Sequence, residues 1–220
     1  MSQNVYLVFS STLQTLSMVF FSTIFSLLIG LPLGVLLHAT SSEKEGGVIP
    51  HPILNNVLSR IVNILRSFPF IILMIILMPL SRLIIGTSIG TTATIIPLSI
   101  AAAPFVARVI ESALKEVDPG VVQASRAMGS TNWQIIYKVL LPEAKPALAS
   151  GITLTIINLI GYSAMAGAIG GGGLGDLAIR YGYQRFRPGI MAAAVIVIIV
   201  LVELIQVIGN KISARLLSKR

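Results

Sequence analysis

Residues 118–142, DPGVVQASRAMGSTNWQIIYKVLLP, decide how the whole chain is read. They form a polar interruption between apolar runs, yet they carry clear helix start and stop signals. Asp118 can cap a helix opened by Pro119, because proline lacks only an amide that has no partner in a first turn. Gly129 can end that helix in a left-handed conformation that a side chain disfavours. Val121, Ala124, Ser125 and Met128 recur at i, i+3, i+4 and i+7, so one face is apolar or small and wants a partner. Gln123 and Arg126 lie off that stripe. Thr131 and Gln134 make a capping-box pair for a second helix, which Pro142 is expected to stop. The pattern predicts a compact knob of two short helices meeting at Gly129. On pattern alone, a pair of loop helices lying on a membrane is the simpler reading, and the spacing considered below decides against it.

The rest of the chain is apolar. Of its 220 residues 55% are hydrophobic and 11% charged, more apolar surface than a soluble fold of this size can hide. Five stretches reach or approach the ~20 residues needed to cross a bilayer core of ~30 Å. They are placed near 12–39, 57–80, 89–113, 145–169 and 189–210, with Arg66, Arg82 and Arg108 cutting into the second and third. If the 118–142 loop is cytoplasmic, twelve of the sixteen Lys and Arg residues lie inside, Lys219 and Arg220 among them; only Arg82, Arg180, Arg185 and Arg187 lie outside. That asymmetry predicts an external N-terminus and a cytoplasmic C-terminus. The net charge of +8 is therefore a topology signal. Nucleic-acid binding is not expected, because the basic residues sit at span ends and form no patch interleaved with exposed aromatics. No cationic segment precedes the first apolar run, so no cleaved signal peptide is expected. Cysteine is absent, which excludes disulfides, thiol catalysis and cysteine metal sites.

From Gln123-Ala124-Ser125 three residues lead to Gly129, nine more separate it from Val139, and Leu141-Pro142 follow after one further residue. This resembles the EAA loop of ABC importer permeases, E-A-A-x3-G-x9-I-x-L-P. Gln123 stands for the acid, Ser125 for the second alanine and Val139 for the isoleucine. In that family the loop is a coupling helix that docks into a cleft of a separate ATPase subunit. The resemblance assigns docking to Val121, Gln123, Ala124, Ser125, Met128, Gly129, Leu141 and Pro142. The neutral Gln123 puts any salt bridge the family makes there in doubt.

Along the chain, the first span is rich in Ser and Thr, which can bond their own helix backbone or a neighbour. Gly30 and Gly34 are spaced for close helix approach. His38 falls where the span leaves the membrane and is read as interfacial, since no ligand set surrounds it. Residues 40–56 read as a connection with no nameable partner. Pro69 should kink the second span near its entry. Pro97 and Pro104 make the third a bending element or a statically kinked helix. Glu111 and Lys115 read as a modest surface pair. Thr153, Thr155 and Asn158 should face protein or water. Residues 170–175 satisfy G-x-G-x-x-G, but no strand precedes them and no ribose-binding acid follows, so a dinucleotide site is rejected. Ser163 follows Gly161 as in a nucleophile elbow, but Met165 replaces the second glycine and no His base is near. Segment 170–188 is equally a docking surface or a solvated connection. Glu203, inside the last span, is a candidate internal contact.

The strings RSFPFIIL, GTSIG, QASRAMG and GYSAMAGAIGGGGLGDLAIRYGY together resemble the permease subunits of bacterial methionine ABC importers. The resemblance runs from the first span to the last. It implies an all-α integral membrane protein with the five-span type I importer fold, one domain over 1–220, and a short cytoplasmic coupling helix between spans 3 and 4. It implies the bacterial inner membrane, a second copy of the chain, two cytoplasmic ATPase subunits and an external methionine-binding protein. ATP and Mg are expected in the ATPase partner and no cofactor here, because the chain has no G-x-x-x-x-G-K-[ST] phosphate loop. Methionine is flexible and polarizable, so a path for it should offer apolar, sulfur-tolerant walls. Tyr162, Ser163 and Met165 are the candidate gate residues, with dimer packing as their alternative role. Other readings are a permease for another small amino acid or related solute, and a passive channel or structural membrane subunit.

Overall fold

The computed structural model describes residues 3–218; Lys219 and Arg220, counted on the cytoplasmic side above, lie outside them. The described chain is helical from end to end: α1 (Gln3–Ala39), a 3-10 turn Glu43–Glu45, α2 (Pro52–Ser67), α3 (Phe70–Ile85), α4 (Thr91–Lys115), α5 (Pro119–Ala127), α6 (Asn132–Ile135), α7 (Leu141–Glu143), α8 (Lys145–Gly167), α9 (Gly173–Asp176) and α10 (Pro188–Leu217). Two π-helical segments, Ile136–Leu140 and Leu177–Tyr183, follow α6 and α9. Among the described residues α1, α4, α8 and α10 are long and apolar enough to cross a membrane, and α2 with α3 makes a fifth span if taken as one broken helix.

That break is sharper than the expected kink. Pro69 forces Phe68 out of the helical region, so α2 stops at Ser67. The Pro69 carbonyl then accepts from the amides of Ile72 and Leu73 to start α3. In contrast, Pro97 and Pro104 leave α4 unbroken.

Contacts gather the chain into two compact units, each fed by several helices. One comprises the chain up to Ser26, Phe68–Ala102 and Thr155–Val207. Its interior is Met18, Val19, Leu98, Ala102, Leu159 and Ile160, with a second cluster of Leu174, Leu177, Ile190 and Ala194. The hydroxyls of α1 are used as the composition implies: Thr12 and Thr23 donate to the carbonyls of Val8 and Val19, both at 2.7 Å, and Ser22 reaches the Ile95 carbonyl at 3.3 Å. Glu203 is exposed on α10, not engaged internally, and pairs with no cation among the described residues.

The other unit comprises Leu27–Ser67, Ala103–Leu154 and the chain from Ile208. Val106, Ile110, Leu114, Val122, Ile135 and Leu140 form the centre of its core. Small residues let its helices meet backbone to backbone, the packing that lipid-embedded helices need because hydrocarbon offers them no hydrophobic gain. A Cβ on Gly30 would lie 2.6 Å from Val106 Cβ, and one on Gly34 would lie 2.6 Å from the Ala107 carbonyl oxygen. His38 is 1% exposed, with neither ring nitrogen hydrogen-bonded. It packs inside this unit, in the last turn of α1.

Because the Gly34 obstacle is backbone, no side-chain rotation relieves it. Gly34→Val should therefore destabilise the folded chain by about 1–3 kcal/mol, read as a lower unfolding temperature in detergent, while Gly189→Ala, at a position with open space, leaves it unchanged.

Candidate functional site

The knob forms where the sequence places it. The Asp118 side chain accepts from the Gly120 amide at 2.8 Å with Pro119 in the first turn. Gly129 follows the end of α5 at φ +81°, a left-handed turn that a Cβ would strain. Thr131 and Gln134 then form the reciprocal capping box, with bonds of 2.9 and 3.4 Å. The expected stop at Pro142 does not occur. The helical path widens into the π segment, with the Leu141 amide bonded to the Ile136 carbonyl, and Pro142 falls at the start of α7. An amide is dispensable there, so proline is tolerated. Only the turn at Ala144 separates α7 from α8.

The predicted stripe on α5 divides. Ser125 is buried together with Val122, while Val121, Ala124 and Met128 face outward, Met128 being 79% exposed. Gln123 and Gly129 are exposed as well; Leu141 and Pro142 are half-buried. Beside them Trp133 and Tyr137, one helical turn apart, stack at 5.8 Å and are 66% and 63% exposed. α5 therefore sits on the core by Val122 and Ser125 and offers an apolar outer face.

Polar bonds hold α5 from behind. Arg126 donates to the carbonyls of Gly47 at 3.1 Å and Val48 at 2.9 Å and lies 3.8 Å from the Glu43 carboxylate. The same connection reaches α4 through Glu45, whose carboxylate is 2.9 Å from Lys115 Nζ. Lys115 also pairs with Glu111 at 3.1 Å, and Glu111 pairs with Arg108. Glu111 is only 5% exposed, so the pair read as a surface contact is in fact the buried centre of a network. Arg108 extends it to α2, donating to the Ser59 carbonyl and to Asn63 Oδ1, both at 3.0 Å. A carboxylate buried this far needs such partners. The Lys115 ammonium, by hydrogen bond and by charge, holds the Glu45 carboxyl below its usual value of 4.5.

The candidate gate residues lie in the other unit, on α8. The Tyr162 ring stacks on Phe70 at 4.2 Å with the planes 5° apart. The Ser163 hydroxyl is buried and donates to the Ile160 carbonyl at 2.7 Å, and Met165 is half exposed. Beyond them the glycine run makes a tight reversal. Gly170, Gly172 and Gly173 all have φ near +80°. Side chains from α1 cap α9: the Gly173 amide donates to Gln14 Oε1 and the Leu174 amide to Thr15 Oγ1, both at 2.9 Å. A Cβ on Gly175 would strike the Ala164 backbone. The G-x-G-x-x-G string is thus a packing device. After it Asp176 pairs with Arg180, and Arg185 sits 4.5 Å over the Tyr181 ring. Among the described residues no His, Cys, Asp or Glu cluster could hold a metal.

Sequence reasoning missed Val122, Arg126 and the Trp133–Tyr137 pair as contributors. The aromatics at i, i+4 in a polar loop were a usable signal. Nothing local links Arg126 to residues 43–48.

The model of one protein family, described as the binding-protein-dependent transport system inner membrane component, matches residues 30–218. The chain belongs to that family. Among relatives of this inner membrane component, the probable D-methionine transport system permease protein MetI of Vibrio cholerae is 52% identical over 209 residues, 95% of this chain and 92% of that protein. The D-methionine transport system permease protein MetI of Escherichia coli K12 is 53% identical over 154 residues, 70% of each. A solved structure of inward-facing conformations of the MetNI methionine ABC transporter superposes with a TM-score of 0.94 at 46% identity, covering 98% of this chain and 99% of that one. An amino acid ABC transporter crystallised with histidines, 22% identical with a TM-score of 0.71, shares the fold. The expected all-α importer fold is thereby established.

The brace sets two expectations for this inner membrane component. Arg126→Gln should leave the spans intact and speed amide exchange in α5, measured by hydrogen exchange on the solubilised chain. Because the Glu45 carboxyl is held low in the folded state, its contribution is complete above its unfolded value and fades as pH falls through the lower folded value. α5 protection should therefore drop in that acid window, and Glu45→Gln should remove this component of the drop.

Proposed function

We propose that this chain is the permease subunit of an ABC importer for methionine, working as a pair of copies whose outward α5 faces dock into two cytoplasmic ATPase subunits. The observation that carries the reading is a helix with Val121, Ala124 and Met128 exposed on one side and Arg126 fastened on the other. Such a helix can receive a push without folding away from it. The methionine permeases it matches at about half identity support the substrate class. ATP and Mg belong to the ATPase partner, since the chain lacks a phosphate loop. An external methionine-binding protein delivers substrate. The chain lies in the bacterial inner membrane with its N-terminus outside and its C-terminus inside, which agrees with the basic-residue asymmetry.

In the transport cycle, ATP-driven closure of the ATPase pair moves the knob from Val121 to Gly129 and re-aims the spans that line the path. Gln123 contributes a neutral hydrogen-bonding group at the dock in place of a charge. Leu141 and Pro142 carry the motion from the knob towards α8. Tyr162 and Met165 form the gate, and Ser163, whose hydroxyl is spent on its own helix, keeps their helix packed. Without a tight pocket at that gate, selectivity rests mainly on the external protein.

Ala124 is exposed, so Ala124→Trp should insert and fold normally. It should lose copurification with the ATPase and lose ATP-driven methionine uptake in proteoliposomes; normal coupled uptake would refute the docking assignment. Met165→Ala should raise ATP hydrolysis without transport, or leak. Wild-type behaviour on both counts removes Met165 from the gate.

A further inference from the structure

One cavity plays no part in the docking or gate assignments above. It has a volume of about 480 Å³ and lies within the unit that carries α5, lined by α2, α4 and α8. Its walls hold a cation, Arg66, and an anion, Glu116, neither paired with an opposite charge among the described residues. Arg108, on the same lining, is already engaged by Glu111, the Ser59 carbonyl and Asn63, which leaves Arg66 as the free cation of the wall among the described residues. The remaining lining is apolar or small, with Phe105, Val109 and Leu154 the large members.

Charges of both signs on an apolar-walled space select the ligand class. A simple anion would meet Glu116, a simple cation would meet Arg66, and an apolar molecule would gain from neither charge. A zwitterion with an apolar side chain satisfies all three walls. The size also fits, because small-molecule sites typically measure about 300–1,000 Å³. We propose that the cavity bounded by Arg66, Glu116 and Phe105 is a transit site for a free amino acid, its α-carboxylate on Arg66. Its α-ammonium lies on Glu116, and its side chain lies against Phe105, Val109 and Leu154. This deepens the importer reading and rests on it. A released substrate held only by exposed, salt-screened charges leaves readily, as transport requires.

The chain has no cysteine, so Ser112→Cys places a single thiol on the cavity wall. In the complete reconstituted importer, maleimide labelling of this chain is timed with and without free methionine. Methioninol, which lacks the carboxylate, and N-acetylmethionine, which lacks the ammonium, serve as comparison ligands. Methionine should slow labelling and the two analogues should not. Arg66→Gln and Glu116→Gln should each weaken the protection about two- to fivefold, the loss expected for one exposed, screened charge pair. No protection, equal protection by the analogues, or protection undiminished in either variant overturns the proposal; the last would mark a conformational response to methionine bound elsewhere. If Ser112→Cys impairs uptake, Ala147→Cys on the α8 wall takes its place. Failure of the importer reading shows separately, as absence of ATP-driven methionine uptake by the unmodified complex.

Discussion

Force applied to a short surface helix does nothing unless the helix is fastened to what must move. In this protein the fastening is a chain of charge-assisted bonds around Arg126. One guanidinium gathers two backbone carbonyls and a carboxylate from the 43–48 connection, a fork geometry that an ammonium could not reproduce. That connection is itself pinned to α4 by Glu45 and Lys115, and α4 to α2 by Glu111 and Arg108. Exposed ion pairs of this kind are individually weak. The burial of Glu111 changes the balance, since a desolvated carboxylate stripped of one partner is costly. The network therefore resists partial loosening and holds α5 to the helices behind it.

The other unit solves a different problem with different chemistry. Its glycine run lets the chain turn back on α8 so closely that backbone meets backbone at Gly167 and Gly175. The new helix start is capped by Gln14 and Thr15 from α1. An uncapped helix start carries amides with no partner, and no water reaches a buried one. Polar side chains on a span thus do structural work that composition alone would assign to a path. Ser163 is a second case, its hydroxyl used by its own helix.

What the sequence revealed follows the range of the forces involved. The caps at Asp118 and Thr131 and the turn at Gly129 were legible because each involves partners within four residues. The long spans were legible because lipid imposes a length and an apolarity. Long-range pairing was not: Glu43 and Arg126 are far apart in sequence, and no periodicity connects them. Glu111 looked superficial because its i, i+4 partner was visible and its burial was not. Pro142 misled because proline usually ends a helix, whereas here a widened turn absorbs it. The outer face of α5 was read as one stripe, and only the packing of Val122 shows that Ser125 belongs to the anchored side.

The π segment Ile136–Leu140 holds one more residue in its turn than an α-helix would. Deleting one residue inside it would let the turn close to ordinary α-helix, in which four residues at about 100° each span nearly the angle that five span in the widened turn. The segments on either side would keep their azimuths, and Trp133 and Tyr137 would still be presented beside α5. The widened turn is in this sense a reserve: it has already taken up one surplus residue without re-aiming the helix on either side, and a further insertion, which it has no room to absorb, is the change that would swing the aromatic pair away.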